Sequence, residues 1–173
     1  MTVTYRAPRA DEADALAMLA RETFDEAFGH LYRSEDLAAF YAEWKTPDAF
    51  NRWIANPRVG ICVAYDGGRA IGYAMTGEDI MLDYDPGERT ALEIKQLYIR
   101  AGYHGMGVAQ TLIRWVEEQA RRIGADEIIL SVYSENHRGL AFYAKHGFTK
   151  YADTTFLVGQ QVDPEYLYRK TLA

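Results

Sequence analysis

The chain has 173 residues, 49% of them apolar, which is enough to bury one sizeable core and too few to expect two domains; no repeat, low-complexity run or linker divides residues 1–173. A net charge of −6 and a pI near 5.2 disfavour nucleic acid as a partner, since that requires a basic surface, and are compatible with a cationic small substrate. A single cysteine, Cys62, excludes an internal disulfide, and the absence of a basic segment followed by an apolar stretch leads to the expectation of a soluble cytoplasmic protein without a membrane partner.

Residues 2–6 alternate as a short strand that Pro8 ends, and Asp11, Glu12 and Asp14 then load the first turn of a helix with favourable negative charge. Leu16, Leu19, Ala20, Phe24 and Phe28 form its apolar stripe, which Tyr32 extends. A second helix follows Ser34, read as its cap, and carries Leu37, Phe40, Tyr41 and Trp44. Pro47 and Asp48 open a short third helix with Phe50, Trp53 and Ile54, stopped by Pro57. Most of these rings read as core packing.

Residues 59–65 and 69–75 are two strands separated by Asp66-Gly67-Gly68, a hairpin signal. The acidic stretch at 77–89 reads as a solvated loop. Residues 91–99 form the next strand, which runs into a turn containing Gly102, Gly105 and Gly107 and then a helix, with Val108, Ala109, Leu112, Ile113, Val116 and Ala120 on one buried face and an end near Gly124. Such a helix start offers unpaired amides and the positive end of the macrodipole to an anion; the alternative is that the glycines serve only a tight connection. The spacing is neither a P-loop nor the dinucleotide fingerprint. Residues 127–133 are a strand with a fully buried run, so a β-α-β unit with a parallel neighbour spans the glycine turn. A helix starts at Asn136, and residues 148–158 and 165–172 are two closing strands joined by a long loop at 159–164. Cys62, inside an apolar strand, reads as an inert thiol.

His104-Gly105-Met106-Gly107-Val108-Ala109 resembles the Q/R-x-x-G-x-G/A signature of the GNAT acetyltransferases, departing from it at His104. The segment from Asn136 to Phe148 is similar to the family's N-x-x-A-x-x-F/L-Y-x-K-x-G-F pattern, with Gly139 in place of Ala. The resemblance implies an α/β (α+β) GNAT acyltransferase fold: a mixed sheet of about seven strands with a splayed parallel pair and about four to five helices. It also implies acetyl-CoA as cosubstrate, with no metal. The diphosphate is expected on the loop of His104, Gly105, Met106, Gly107, Val108 and Ala109, and the pantetheine and thioester along Leu97, Tyr98 and Ile99, with a Leu97 or Tyr98 amide receiving the oxyanion. Asn136 is a pantetheine contact or simply an N-cap; Lys145 is a phosphate contact or simply solvated.

Attack on a thioester needs a neutral amine, and an amine of pKa about 10 is neutral in roughly one molecule per thousand at pH 7, a penalty of about 4 kcal/mol. Glu93 resembles the base that several GNAT enzymes place on this strand; its alternative is a surface carboxylate partnered with Lys95 or a neighbouring strand. Tyr143 is the expected acid for the leaving thiolate, or a core ring beside Phe142. Tyr32, Tyr41 and Trp53 are expected at the acceptor pocket, with Asp79 and Asp83 attracting a small-molecule amine of several charges. Phe24 with Phe28, Leu92-Glu93-Ile94 and the ending Phe156-Leu157-Val158-Gly159 look like the PaiA-type polyamine acetyltransferases, implying spermidine or spermine as acceptor. A peptide amine as acceptor and a non-catalytic acyl-CoA regulator are the rival readings. Dimers are common in the family, so a homodimer is compatible with the resemblance.

Overall fold

The computed structural model describes all 173 residues. Seven strands, β1 (Val3–Arg6), β2 (Val59–Asp66), β3 (Arg69–Gly77), β4 (Ala91–Ile99), β5 (Glu127–Tyr133), β6 (Thr149–Val158) and β7 (Gln161–Thr171), lie in one sheet in the order β1-β2-β3-β4-β5-β7-β6. Five α-helices accompany them: α1 (Ala13–Phe28), α2 (Ser34–Trp44), α3 (Pro47–Ala55), α4 (Val108–Arg122) and α5 (His137–Lys145). Every adjacent pair of strands is antiparallel except β4 and β5, which α4 connects. None of the helices is long and apolar enough to cross a membrane.

The spacing of apolar residues explains the two layers. Leu112, Ile113 and Val116 of α4 pack on Leu92, Ile128 and Leu130, covering one face of the sheet. On the other face Leu16, Leu19 and Ala20 of α1 and Phe50 of α3 pack on Ile61, Val63, Tyr73 and Met75. A third, smaller cluster joins Phe24 of α1, Phe40 of α2 and Val158 of β6, with the two rings 4.8 Å apart.

The parallel pair separates early. β4 and β5 pair only at Ala91↔Glu127, Leu92↔Ile128 and Glu93↔Ile129, although the strands run to nine and seven residues. A bulge at Lys95 accompanies the split: opposite β3, the register steps from Ile94↔Thr76 to Gln96↔Met75. The extra residue bends β4 and opens a gap between its second half and β5.

Three local expectations need correction. Ser34 is the first residue of α2, whose N-cap is Arg33 with no side-chain cap bond. Tyr32 does not extend the first helix, because one turn of 3-10 helix (Gly29–Leu31) follows Phe28 and leaves Tyr32 extended. The connection at 159–164 is no long loop: Gly159 (φ +58°) and Gln160 turn the chain directly from Val158 to Gln161, and Pro164 lies within β7. Pro164 is tolerated there because β5 ends opposite Glu165, so its missing N–H removes no bond to that neighbour.

Candidate active site

β4 leads through one turn of 3-10 helix (Ala101–Tyr103) into the glycine loop before α4. Gly105 (φ +78°) and Gly107 (φ +83°) occupy the left-handed region, and a Cβ at either would meet nothing within 4 Å. Glycine is therefore required by the backbone conformation, and the space beside the loop is open. The amides of Gly105, Met106, Gly107, Val108, Ala109 and Gln110 donate to no main-chain acceptor; the first bond of the helix runs from Thr111 N–H to Gly107 O at 3.1 Å. Together with the α4 dipole, these unspent donors fit a diphosphate.

His104 places its Nε2 3.2 Å from the Ile99 carbonyl, and its Nδ1 contacts the Arg138 guanidinium. A guanidinium only donates, so Nδ1 is the accepting nitrogen in this contact and Nε2 faces the Ile99 carbonyl as the donor. The departure at His104 thus accompanies a basic residue beside the loop. Arg138 was not anticipated; its only signal was a cation two positions after Asn136.

A cavity of ≈ 750 Å³ runs from this loop to the gap, past Ile99, His104, Ala109, Arg138 and Phe142. A narrow cavity of ≈ 130 Å³ lies on its other side, past Phe24, Tyr32, Gln96, Ser131, Tyr133 and Glu165. Phe28, Leu97, Tyr98, Asn136 and Tyr143 line both, and so mark the junction. Arg100 N–H donates to Ile71 O across to β3 at 2.9 Å, so alternation points the Tyr98 amide at β3 and the Leu97 and Ile99 amides into the gap. Of the two amides expected for the oxyanion, Leu97 is the one aimed at the junction.

Asn136 caps α5, its Oδ1 accepting from Gly139 N–H at 3.0 Å, and it still lines both cavities. A Cβ on Gly139 would stand 2.6 Å from Asn136 Nδ2, so alanine here would require the Asn136 amide to shift. Tyr143 has the core packing of its alternative reading and also lines both cavities. Its ring packs 5.4 Å from Phe142 and 5.5 Å from Phe148, and burial pushes its hydroxyl pKa well above that of a free phenol, so it stays protonated.

On the narrow side, the Tyr32 hydroxyl donates to Asp163 Oδ2 and its ring stacks on Phe24 at 5.9 Å. Gln161 Nε2 donates to the other Asp163 oxygen at 2.8 Å. Two residues along β7, Glu165 has an Oε2 that is sealed from solvent and has no hydrogen-bond partner. Burial raises its carboxyl pKa to about 7; the Ser131 hydroxyl opposes that rise and the Asp163 charge adds to it. Lys45, between α2 and α3, is buried with its ammonium 4.9 Å from the Tyr98 ring centre, 5.5 Å from Phe24 and 5.6 Å from Phe40. It donates to Gln96 Oε1 at 3.1 Å, and burial lowers its pKa to about 7. Neither Glu165 nor Lys45 stood out in the sequence.

Other expected residues lie elsewhere. Glu93 is buried but lines neither cavity at the gap; its Oε2 accepts from Met81 N–H at 2.7 Å and Lys95 Nζ at 3.2 Å, the partnered alternative. Trp53 packs edge-on to Phe50 at 5.1 Å, because α3 lies over β2 rather than over the gap. Tyr41 is half-buried, edge-on to Phe24 at 6.0 Å with its hydroxyl 3.5 Å from Arg21 O, and lines neither cavity. Asp79 pairs with Arg58 at 2.8 Å and Asp83 is exposed; their loop sits where β4 begins, at the paired end rather than the open one. Lys145 is exposed on α5 and lines neither cavity. Burial pushes the Cys62 thiol up to about 11, consistent with an inert side chain.

A profile of the acetyltransferase (GNAT) family matches residues 19–148. A Mycobacterium tuberculosis (strain ATCC 25618 / H37Rv) protein described as an uncharacterized N-acetyltransferase is 32% identical over 161 residues, covering 93% of this chain and 98% of that protein. A similarly described protein of Lactobacillus delbrueckii subsp. lactis is 27% identical over 159 residues, 89% of this chain and 88% of that one. Among solved structures, the PaiA N-acetyltransferase from Thermoplasma acidophilum in complex with coenzyme A matches with a TM-score of 0.81 over 99% of this chain and all of that one, at 20% identity, a likeness of fold. Sheet order, splayed pair, open glycine loop and family profile agree, and the chain belongs to the GNAT acetyltransferase family of acyltransferases.

Proposed function

We propose that this enzyme transfers acetyl from acetyl-CoA directly to a primary amine, with polyamines such as spermidine or spermine as acceptors. The observation that carries this reading is the meeting of two unlike cavities at Leu97, Tyr98, Asn136 and Tyr143. The larger one ends on free amides and Arg138, suited to the diphosphate, and its length along Leu97 to Ile99 suits the pantetheine arm. Bound there, acetyl-CoA would supply an activated acetyl group. The Leu97 amide receives the negative charge that develops on the carbonyl oxygen, and the loss of such a donor typically costs about a hundredfold or more in rate. Tyr143, protonated throughout the working range, donates its proton toward the sulfur.

The narrow cavity supports the acceptor class. At ≈ 130 Å³ it admits a linear alkyl chain more readily than a fused ring system, and its lining is aromatic and aliphatic apart from Lys95, Gln96, Ser131, Asn136 and Glu165, with the Lys95 ammonium turned to Glu93 and the Asp79 carbonyl. Aromatic faces and a carboxylate together suit an alkylammonium. The test is an amine panel followed by CoA release, comprising spermidine, spermine, an aminoglycoside and a lysine peptide. The polyamines are expected to show the highest kcat/KM. Acetylation of the peptide alone would overturn the polyamine assignment, and acetyl-CoA binding without turnover of any amine would favour a regulator.

A further inference from the structure

Acyl transfer to an ammonium requires a group that takes its proton, and Glu93 is engaged away from the gap. We infer that Glu165 on β7 is this group, accepting the proton from the acceptor ammonium in the narrow cavity; the inference rests on the acyl-transfer reading above.

Three observations carry it. Glu165 is the one acidic side chain lining the narrow cavity, which it shares with Leu97 and Tyr143. Its Oε2 has neither a hydrogen-bond partner nor a paired cation; Asp163 is held by Tyr32 and Gln161, Asp36 by Gln160 and Arg33, and Glu93 through its Oε2 by Met81 and Lys95, while the other buried carboxylate oxygen without a hydrogen bond, Glu127 Oε2, faces the Arg89 guanidinium at 3.3 Å. An unspent lone pair in a sealed site is costly unless a ligand completes it. The residue is also held firmly, opposite Tyr133 of β5 and Thr154 of β6. The groups facing it are Ser131 and Tyr133 from β5, Asp163 on its own strand, Tyr32, Tyr143 from α5, and Tyr98 and Lys95 from β4. The Lys95 ammonium is turned to Glu93 and the Asp79 carbonyl, so it does not neutralise Glu165. With a pKa of about 7, the carboxylate is present at neutral pH and basic enough to receive a proton.

In the step, an ammonium N–H bond breaks and a carboxylic O–H forms on Glu165. The freed lone pair forms the N–C bond to the acetyl carbon, the C–S bond breaks, and sulfur takes the Tyr143 proton. The new amide nitrogen sheds its second proton, which restores the Tyr143 phenol, and Glu165 releases its own proton to solvent as product leaves.

The experiment is a pH series of kcat/KM for spermidine with the full chain, comparing wild type, Glu165→Gln and Glu93→Gln, with acetyl-CoA affinity measured in parallel. Wild-type kcat/KM should fall about tenfold per pH unit below pH 7. Glu165→Gln should lose about a hundredfold or more at pH 7, lose the acid limb, and approach wild type as pH rises toward the pKa of the amine, with CoA affinity little changed. Glu93→Gln should keep the acid limb at its wild-type position. An active wild type whose acid limb survives in Glu165→Gln, or disappears in Glu93→Gln, overturns this assignment alone. A wild type that acetylates no amine overturns it together with the reading on which it rests.

Discussion

Replacing Lys45 with methionine is expected to stabilise the protein at neutral pH. The fall of the Lys45 pKa from 10.5 to about 7 corresponds, at about 1.36 kcal/mol per pH unit, to roughly 5 kcal/mol against the charged form, as an upper bound. The faces of Tyr98, Phe24 and Phe40 offset part of that, about 1–2 kcal/mol for a desolvated cation. Losing the bond to Gln96 costs about 1 kcal/mol more, and Gln96 Oε1 still accepts from the Tyr73 hydroxyl at 2.5 Å. Methionine fills a similar volume without a charge, so a gain of about 1–3 kcal/mol remains, or about 3–10 °C in Tm for a chain of this length. The pH dependence has a definite sign. Between pH 7 and 10.5 the unfolded chain binds a proton at Lys45 that the folded chain has released, so wild-type stability rises with pH through this window. Lys45→Met removes that rise, and the two proteins converge toward pH 10.5. Calorimetry at pH 6 and pH 9.5 reads both effects. A variant that melts below wild type at pH 6 would show that the aromatic cage stabilises the ammonium outright and would refute the reasoning.

Gly107→Ala places a Cβ at φ +83°, at a cost of about 1–2 kcal/mol, and should weaken CoA binding by about tenfold as the loop shifts; unchanged affinity by isothermal titration would detach the loop from the cofactor. Tyr143→Phe preserves the packing with Phe142 and Phe148, so it should lower kcat by about a hundredfold while leaving CoA affinity nearly intact. An equal loss of both would mark a structural role. Gly159→Ala meets both a φ of +58° and a Cβ position only 2.4 Å from Asp36 Oδ1 and 2.5 Å from Asp36 Cα, and should cost about 2–4 kcal/mol. A thermal melt within about 2 °C of wild type would contradict that figure.

The glycine loop and its helix were legible because their signals are local: glycines where φ is positive, and apolar residues at three- and four-residue steps from Val108 to Ala120. The hairpin at Gly67 and Gly68 was legible for the same reason, and both residues have positive φ. What escaped depends on contacts far apart in sequence. Leu92 and Ile94 pack in the same cluster as Leu97 and Ile99, so the strand's alternation shifts at the Lys95 bulge, and no propensity marks that shift. Trp53 and Tyr41 lie on apolar helix faces, as periodicity implies, but periodicity does not say which part of the sheet a helix covers. Nothing local in the sequence marks Glu165, because Tyr32, Tyr98 and Ser131, which surround it, are drawn from three distant segments.

The most direct test of the account is an amide NMR titration with coenzyme A, using pantetheine as the control that lacks the diphosphate. The account predicts that the resonances of residues 105–110 shift together along one binding curve with coenzyme A and stay near their free positions with pantetheine. Coenzyme A binding that leaves those six amides unmoved would contradict it.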